Sequence, residues 1–292
     1  MSSNGNLKPI VVAVDGSDSA LAAVRWAATE AQRQRRALRI VHTDDWPPPA
    51  YGPVFVDRAT LPEVIQAATA TMLADAARAV AQADPGVRYE TEALRGPAAA
   101  RLRELSRSAA LLVLGSRGLG GFTGLLAGSV AVALAAHAHC PVAVVRGARP
   151  ADGPVVVGID GSPASEQAIG FAFEQAALRG AELVAVHAWS EVVYPLYDGA
   201  YLPDIDWRPV EEQAGELLAE RLAGWQEKYP EVTVRRVVER NHPASALLAA
   251  ARSAQLLVVG SRGRGGFTGL MLGSISQAMI HHAPCPIVIA RP

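Results

Sequence analysis

Two stretches of the chain concentrate groups able to hold an anion. Residues 115–129 read GSRGLGGFTGLLAGS and residues 260–274 read GSRGRGGFTGLMLGS, identical at 12 of 15 positions. Each follows a short apolar run and ends in Gly-Ser where a helical pattern begins. In the first, Gly115, Gly118, Gly120, Gly121, Gly124 and Gly128 leave backbone N–H groups uncovered. Glycine admits positive φ and close approach of a bound oxyanion. Gly128-Ser129 opens a helix whose first N–H groups lack intrahelical partners. Ser129 can cap that helix and donate to a phosphate oxygen. Arg117 can add positive charge or serve as a surface ion pair. The second stretch repeats the set with Gly260, Gly263, Gly265, Gly266, Gly273, Ser274 and Arg262. The chemistry is phosphate binding. The competing reading is a tight strand-to-helix connection that merely needs glycine. The two loops agree while their flanks drift, which favours a ligand.

Two better-known phosphate loops do not apply. A P-loop places a lysine before its Ser or Thr, and neither stretch contains lysine. A dinucleotide fingerprint needs G-x-G-x-x-G after the first strand. Here Gly118-Leu119-Gly120-Gly121-Phe122-Thr123 fails at its last place and follows a later strand.

Asp15 and Asp160 close the apolar runs IVVAV and VVVGI and start Asp-Gly-Ser turns. Each can accept from a nucleotide's sugar or amino group, cap the next helix, or hold Mg2+ through water. His42 and His187 end second apolar runs, and a lone histidine there reads as a structural donor. No Ser-His-Asp arrangement emerges. Cys140 and Cys285 are the only cysteines, each followed by proline. Their matching places suit two free thiols in a reducing compartment rather than one disulfide. The nearby His137, His139, His281 and His282 do not form a convincing ligand spacing, so no resident metal is expected.

These residues recur at one separation. Asp15 and Asp160, His42 and His187, Gly115 and Gly260, Ser129 and Ser274, and Cys140 and Cys285 all lie 145 positions apart. The chain of 292 residues is therefore a duplication of one domain-sized unit. The expected domains are 1–147 and 154–292, joined by a Gly/Ala/Pro-rich linker at 148–153. Within each unit, short apolar runs alternate with helical segments. The first helix is expected to end near Arg36, long helices to lie around 62–83 and 208–228, and short helices to follow Pro97 and Pro243. Five strands with helices between them predict an α/β fold, a doubly wound parallel sheet of order 3-2-1-4-5 in each unit. Ligands of such sheets bind beyond the strands' carboxyl ends, where strand order reverses. Strands 1 and 4 would then be neighbours, with Asp15 and Gly115 facing one crevice.

Composition sets the remaining bounds. Half the residues are hydrophobic, 19% are charged and the formal net charge is −1. That balance offers no general attraction to nucleic acid or anionic membrane. Apolar stretches are interrupted before membrane-spanning length, and the first residues lack a leader pattern, so a cytoplasmic protein is expected.

The spacing Gly115-x-x-Gly118, nine residues, Gly128-Ser129 resembles the ATP-binding signature of the universal stress protein family, G-2x-G-9x-G-(S/T). Gly260-x-x-Gly263, nine residues, Gly273-Ser274 repeats it. Asp15 and Asp160 match the family's aspartate, and the CPV and CPI before the last strands also resemble it. The likeness spans nearly the whole chain and is strongest to two-domain actinobacterial members. It implies an ATP-binding regulator of stress or growth, with ATP, and Mg2+ accompanying it, as the cofactor. Adenine would lie near Ala13–Asp15 and Gly158–Asp160 and near Thr43 and Ala188. Ribose and phosphates would lie along Gly115, Ser116, Arg117, Gly118, Leu119, Gly120 and Gly121 with Gly128 and Ser129. The second set is Gly260, Ser261, Arg262, Gly263, Arg264, Gly265 and Gly266 with Gly273 and Ser274. Two ATP sites are implied. Ala13 stands where the second copy has Gly158, and its methyl group is expected to weaken the first site. The family pairs its domains, which implies an intrachain pseudo-dimer and a homodimer.

Two other functions compete with a binding module. One is an ATP-hydrolysing enzyme with this sheet order, although the DGSDS turn departs from the S-G-G-x-D-S loop of related pyrophosphatases. The other is a scaffold that binds a protein partner through the aromatic, proline-rich segments 44–60 and 190–207.

Overall fold

Runs of four to seven residues, most of them apolar and rich in valine, isoleucine and leucine, form strands, and the segments between them, most of them rich in alanine, form helices. The computed structural model describes residues 7–44, 61–118, 127–146, 152–190, 206–264 and 271–291. The chain packs as two units, Met1–Gly147 with Pro286–Pro292, and Ala148–Cys285.

The first unit contains β1 (Ile10–Val14), α1 (Asp18–Arg33), β2 (Leu38–Asp44), α2 (Leu61–Ala83), β3 (Tyr89–Arg95), α3 (Ala98–Leu105), β4 (Leu111–Gly115), α4 (Ser129–His137) and β5 (Val142–Val145). Its strands pair in parallel in the order β3-β2-β1-β4-β5. Helices α1 and α2 pack together, as do α3 and α4. The central strands are buried because helices cover them, whereas β3 is largely exposed.

The second unit contains β6 (Val155–Gly158), α5 (Pro163–Arg179), β7 (Leu183–Trp189), α6 (Arg208–Lys228), β8 (Val234–Arg240), α7 (Pro243–Ala250), β9 (Leu256–Gly260) and α8 (Ser274–His282). Its parallel order is β8-β7-β6-β9. Phe173, Trp225 and Tyr229 stack between α5 and α6, with ring centroids 5.9–6.4 Å apart.

The last strand departs from the all-parallel expectation. β10 (Ile287–Ala290) packs with the first unit and pairs antiparallel to β5, with Ile287 opposite Val144 and Ile289 opposite Val142. A strand edge left open exposes unpaired N–H and C=O groups. Fully buried Ile287, Val288 and Ile289 cover that edge of β5.

The first helix ends three residues before the expected Arg36. Arg35 adopts a left-handed conformation with φ 51°, and the Arg36 N–H returns to the Ala31 carbonyl at 2.9 Å. Gly180 occupies the same place after α5 with φ 58°, and Ala181 N–H reaches the Ala176 carbonyl at 3.0 Å. Glycine suits this stop because it lacks the Cβ that opposes positive φ. Replacing Arg35 by glycine is expected to stabilise the protein by about 0.5–1 kcal/mol. Denaturant unfolding should show the gain for Arg35→Gly and no comparable gain for Arg35→Ala, which keeps the Cβ.

Candidate functional site

Parallel pairing of β1 with β4 places Ile10 beside Leu111 and Val12 beside Val113, so both strands deliver their turns to one edge. The Asp15-Gly16-Ser17 turn is locked by its own groups. Asp15 Oδ1 accepts from the Ser17 N–H at 3.0 Å and from its hydroxyl at 2.7 Å. Ser17 Oγ accepts from the Ala20 N–H at 3.1 Å and caps α1. In the second unit Asp160 Oδ1 accepts from the Ser162 N–H at 2.9 Å, and Ser162 caps α5 with Pro163 in its first turn. The caps are thus the serines, and the aspartates hold the turns that present them.

The turns after β4 and β9 fit closely against these aspartates. Asp160 Oδ2 accepts from the Arg264 N–H at 3.1 Å. A Cβ on Gly263 would lie 2.6 Å from Asp160 Oδ2, and one on Gly118 would overlap Asp15 Oδ2. Gly115 and Gly260 serve packing. A Cβ on Gly115 would stand 2.7 Å from Ser19 Oγ, and one on Gly260 would stand 2.6 Å from the Ala164 carbonyl oxygen. The expectation that Asp15 and Gly115 face one crevice holds, because β1 and β4 are neighbours.

Each unit has a cavity at this edge, about 430 Å³ in the first and about 440 Å³ in the second. The first is lined by Ala13, Asp15, Thr43, Gly115, Arg117, Gly118, Gly128 and Ser129. The second is lined by Gly158, Asp160, Ala188, Gly260, Arg262, Gly263, Arg264, Gly273 and Ser274. Ser116 and Ser261 are buried and support the rim instead. Their carbonyls each accept at 2.9 Å, from Gly128 N–H and Gly273 N–H respectively, which closes the base of each glycine loop. Leu119, Gly120, Gly121, Gly265 and Gly266 lie outside the described residues, as do most of segments 44–60 and 190–207.

The structure corrects the role of Ser129. The capping position of α4 belongs to Gly128, in extended backbone with φ −72° and ψ 148°, and no side chain caps the helix. Ser129 is the first helical residue, so its hydroxyl is not spent on the cap. Gly273 and Ser274 repeat this arrangement at α8. A helix start without a side-chain cap directs N–H groups and a positive dipole end into each cavity. In the first unit Arg117 adds to this field. Burial, followed by the nearby Arg117 charge, lowers the pKa of Arg146 at the end of β5.

Sequence reasoning missed the apolar wall. Ala98 and Leu102 from α3, Leu114 from β4 and Val130 from α4 line the first cavity. Pro243, Leu247, Val259 and Ile275 take those places in the second. Their one legible signal was position, since each lies 145 residues from its counterpart. A cavity with one apolar wall and one N–H-rich end can hold a flat ring and an anion together.

His42 and His187 turn away from this chemistry. His42 Nδ1 lies 2.9 Å from the Val14 carbonyl and His187 Nδ1 lies 2.7 Å from the Ile159 carbonyl. A carbonyl only accepts, so Nδ1 carries the proton in both. Cys140 and Cys285 are buried free thiols, each with its pKa pushed up by burial to about 12. In the unfolded chain a thiol ionises near its ordinary value of 9.0. The folded state therefore holds the proton more tightly and is favoured below pH 9. This contribution should be lost as pH rises from about 9 to about 12. Unfolding measurements across that range should show a steeper loss for the native chain than for Cys140→Ala/Cys285→Ala.

Known proteins place this architecture. The universal stress protein family model matches residues 6–146 and again residues 153–291. Universal stress protein Rv1996 of Mycobacterium tuberculosis is 41% identical over an alignment 302 positions long, covering 97% of this chain and 94% of the relative. Universal stress protein Rv2623 of the same organism is 40% identical over an alignment 307 positions long, covering 100% and 99%. A universal stress protein from Archaeoglobus fulgidus shares the fold, with a TM-score of 0.73 at 19% identity over 100% of this chain and 99% of that one. With one family domain in each half, the chain belongs to the universal stress protein family.

Proposed function

We propose that the chain is an ATP-binding regulator with one nucleotide site in each unit. The observation that carries this reading is the pairing, in each cavity, of an apolar wall with a helix start that no side chain caps. Adenine fits against Leu102 and Leu114, or Leu247 and Val259, beside the strand ends at Ala13 and Thr43, or Gly158 and Ala188. Phosphates reach Gly128-Ser129 and Gly273-Ser274, where backbone N–H groups, a hydroxyl and the helix dipole converge. Mg2+ would arrive with the nucleotide and offset part of the phosphates' negative charge.

Binding, rather than turnover, is the main role. Asp15 and Asp160 are the only carboxylates among the described cavity-lining residues, and each is engaged by its turn. No histidine lines either cavity within the described residues. A hydrolase needs a base positioned beside the reacting phosphate. Nucleotide occupancy instead joins the β1 turn, the β4 turn and α4, and so changes the surface offered to a protein partner. The buried free thiols suit work in the cytoplasm.

The two sites differ at their floor. A Cβ on Gly158 would come within 3.1 Å of Leu247 Cδ1, whereas Ala13 carries that methyl group in the first unit. The first site is therefore the weaker. Calorimetry on nucleotide-free protein should resolve two ATP molecules per chain with unequal affinities, and Ala13→Gly should bring them together. Ser129→Ala and Ser274→Ala should each weaken one site about tenfold, the loss of a hydrogen bond to a charged group. Neither should lower the melting temperature, because neither serine is a cap. Absence of ATP binding would refute the reading, and equal affinities would refute the inequality.

A further inference from the structure

The opposite edge of the first unit holds a second cleft, of about 430 Å³, lined by Leu7, Lys8, Arg36, Ala109, His139 and Cys140 among others. Its positive groups come from separate elements. Lys8 precedes β1 and its Nζ donates to the Arg107 carbonyl at 3.1 Å. Arg36 follows α1, and its Nη1 donates to the Lys8 carbonyl at 2.8 Å. The His139 N–H donates to Ser106 Oγ at 2.8 Å, which fixes its segment beside the end of α3. Because β10 runs antiparallel to β5, it brings Arg291 to this same edge, where Nη1 donates to the Ala135 carbonyl at 2.9 Å. Partial desolvation, then the fields of Arg107, Arg103 and Arg291, lower the His139 pKa, and Glu104 opposes them.

The fold does not require this charge, and the duplication supplies the control. At a shift of 145 positions, Lys8, Arg36, Arg103 and His139 become Gly153, Ala181, Leu248 and Pro284, whereas Arg107 and Arg291 keep arginine counterparts, Arg252 and Arg146. The second unit ties its corner with a neutral group, as Gln255 Nε2 donates to the Gly153 carbonyl at 2.6 Å. Cations at a helix end answer the helix dipole, which accounts for Arg36 after α1. That does not account for Lys8, which stands before a strand and has no charged counterpart. Gathering like charges costs energy unless an anion offsets it.

We propose that this corner of the first unit binds a compact diphosphate-class anion. Lys8 and Arg36 supply the charge at the cleft wall, His139 adds a ring N–H, and the Arg103, Arg107 and Arg291 fields raise the local anion concentration. The group can come from free diphosphate or from the diphosphate end of a nucleotide. The site lies at the amino ends of the strands and does not depend on ATP binding at the carboxyl ends.

The test is histidine NMR on the full chain, with the His139 signal assigned through His139→Gln. Titration with pyrophosphate should shift the His139 ring resonances, raise its pKa and leave the His42 signal unchanged. Lys8→Gln and Arg36→Gln should each weaken the response about tenfold, as expected for a charged hydrogen-bonding partner. A response to pyrophosphate alone assigns the site to free diphosphate, and a response to ADP as well assigns it to the nucleotide's diphosphate. An unmoved His139 at millimolar pyrophosphate would overturn the proposal. So would unchanged binding in both variants, or a response only to anionic vesicles or polyuridylate. Reading His139 keeps the outcome separate from nucleotide binding beside His42.

Discussion

β1 is paired on both sides, to β2 and to β4, and the chain reaches these partners by crossovers whose helices collect on opposite faces of the sheet. The turns leaving β1 and β4 therefore diverge from a common edge. Neither turn's own helix can fill the gap between them. A carboxylate at the end of β1 bridges it. Asp15 takes hydrogen bonds from Ser17 and stands against Gly118, and Asp160 does the same with Ser162 and Gly263. The glycines of the second turn answer first to this contact and to the helix packed behind it. Their freedom to admit a ligand's phosphate follows from that geometry.

The duplication separates what this frame requires from what it permits. The serine caps, the histidine contacts to Val14 and Ile159 and the uncapped starts of α4 and α8 occur in both units. They set the path of the backbone at the edge. Lining residues vary around them. Ala13 replaces Gly158, Thr43 replaces Ala188, and Ala131 lines the first cavity where Ser276 lines the second. One scaffold thereby carries two cavities of nearly equal size and unequal walls. The same comparison marks Lys8, Arg36, Arg103 and His139 as additions to the scaffold.

Much of this was legible in the chain itself. The 145-residue repeat, the strand–helix alternation and the two Gly-Ser loops are local or periodic signals, and they determined two units of one α/β type with anion-binding turns. The order of strands 1 and 4 could be argued because right-handed crossovers leave few alternatives. Helix starts were legible where a side chain caps them, as at Ser162-Pro163. Tertiary structure decided what depends on distant neighbours. Leu102 and Leu247 look like ordinary core residues of short helices until α3 and α7 pack over the strand ends. Gly128, rather than Ser129, takes the capping position because the Ser116 carbonyl holds its N–H across the loop. The direction of β10 is also beyond a local reading, since VAVV and IVIA pair in either sense and only packing makes them antiparallel. Sequence period fixes which face a side chain occupies, but contacts between remote elements fix which groups meet there.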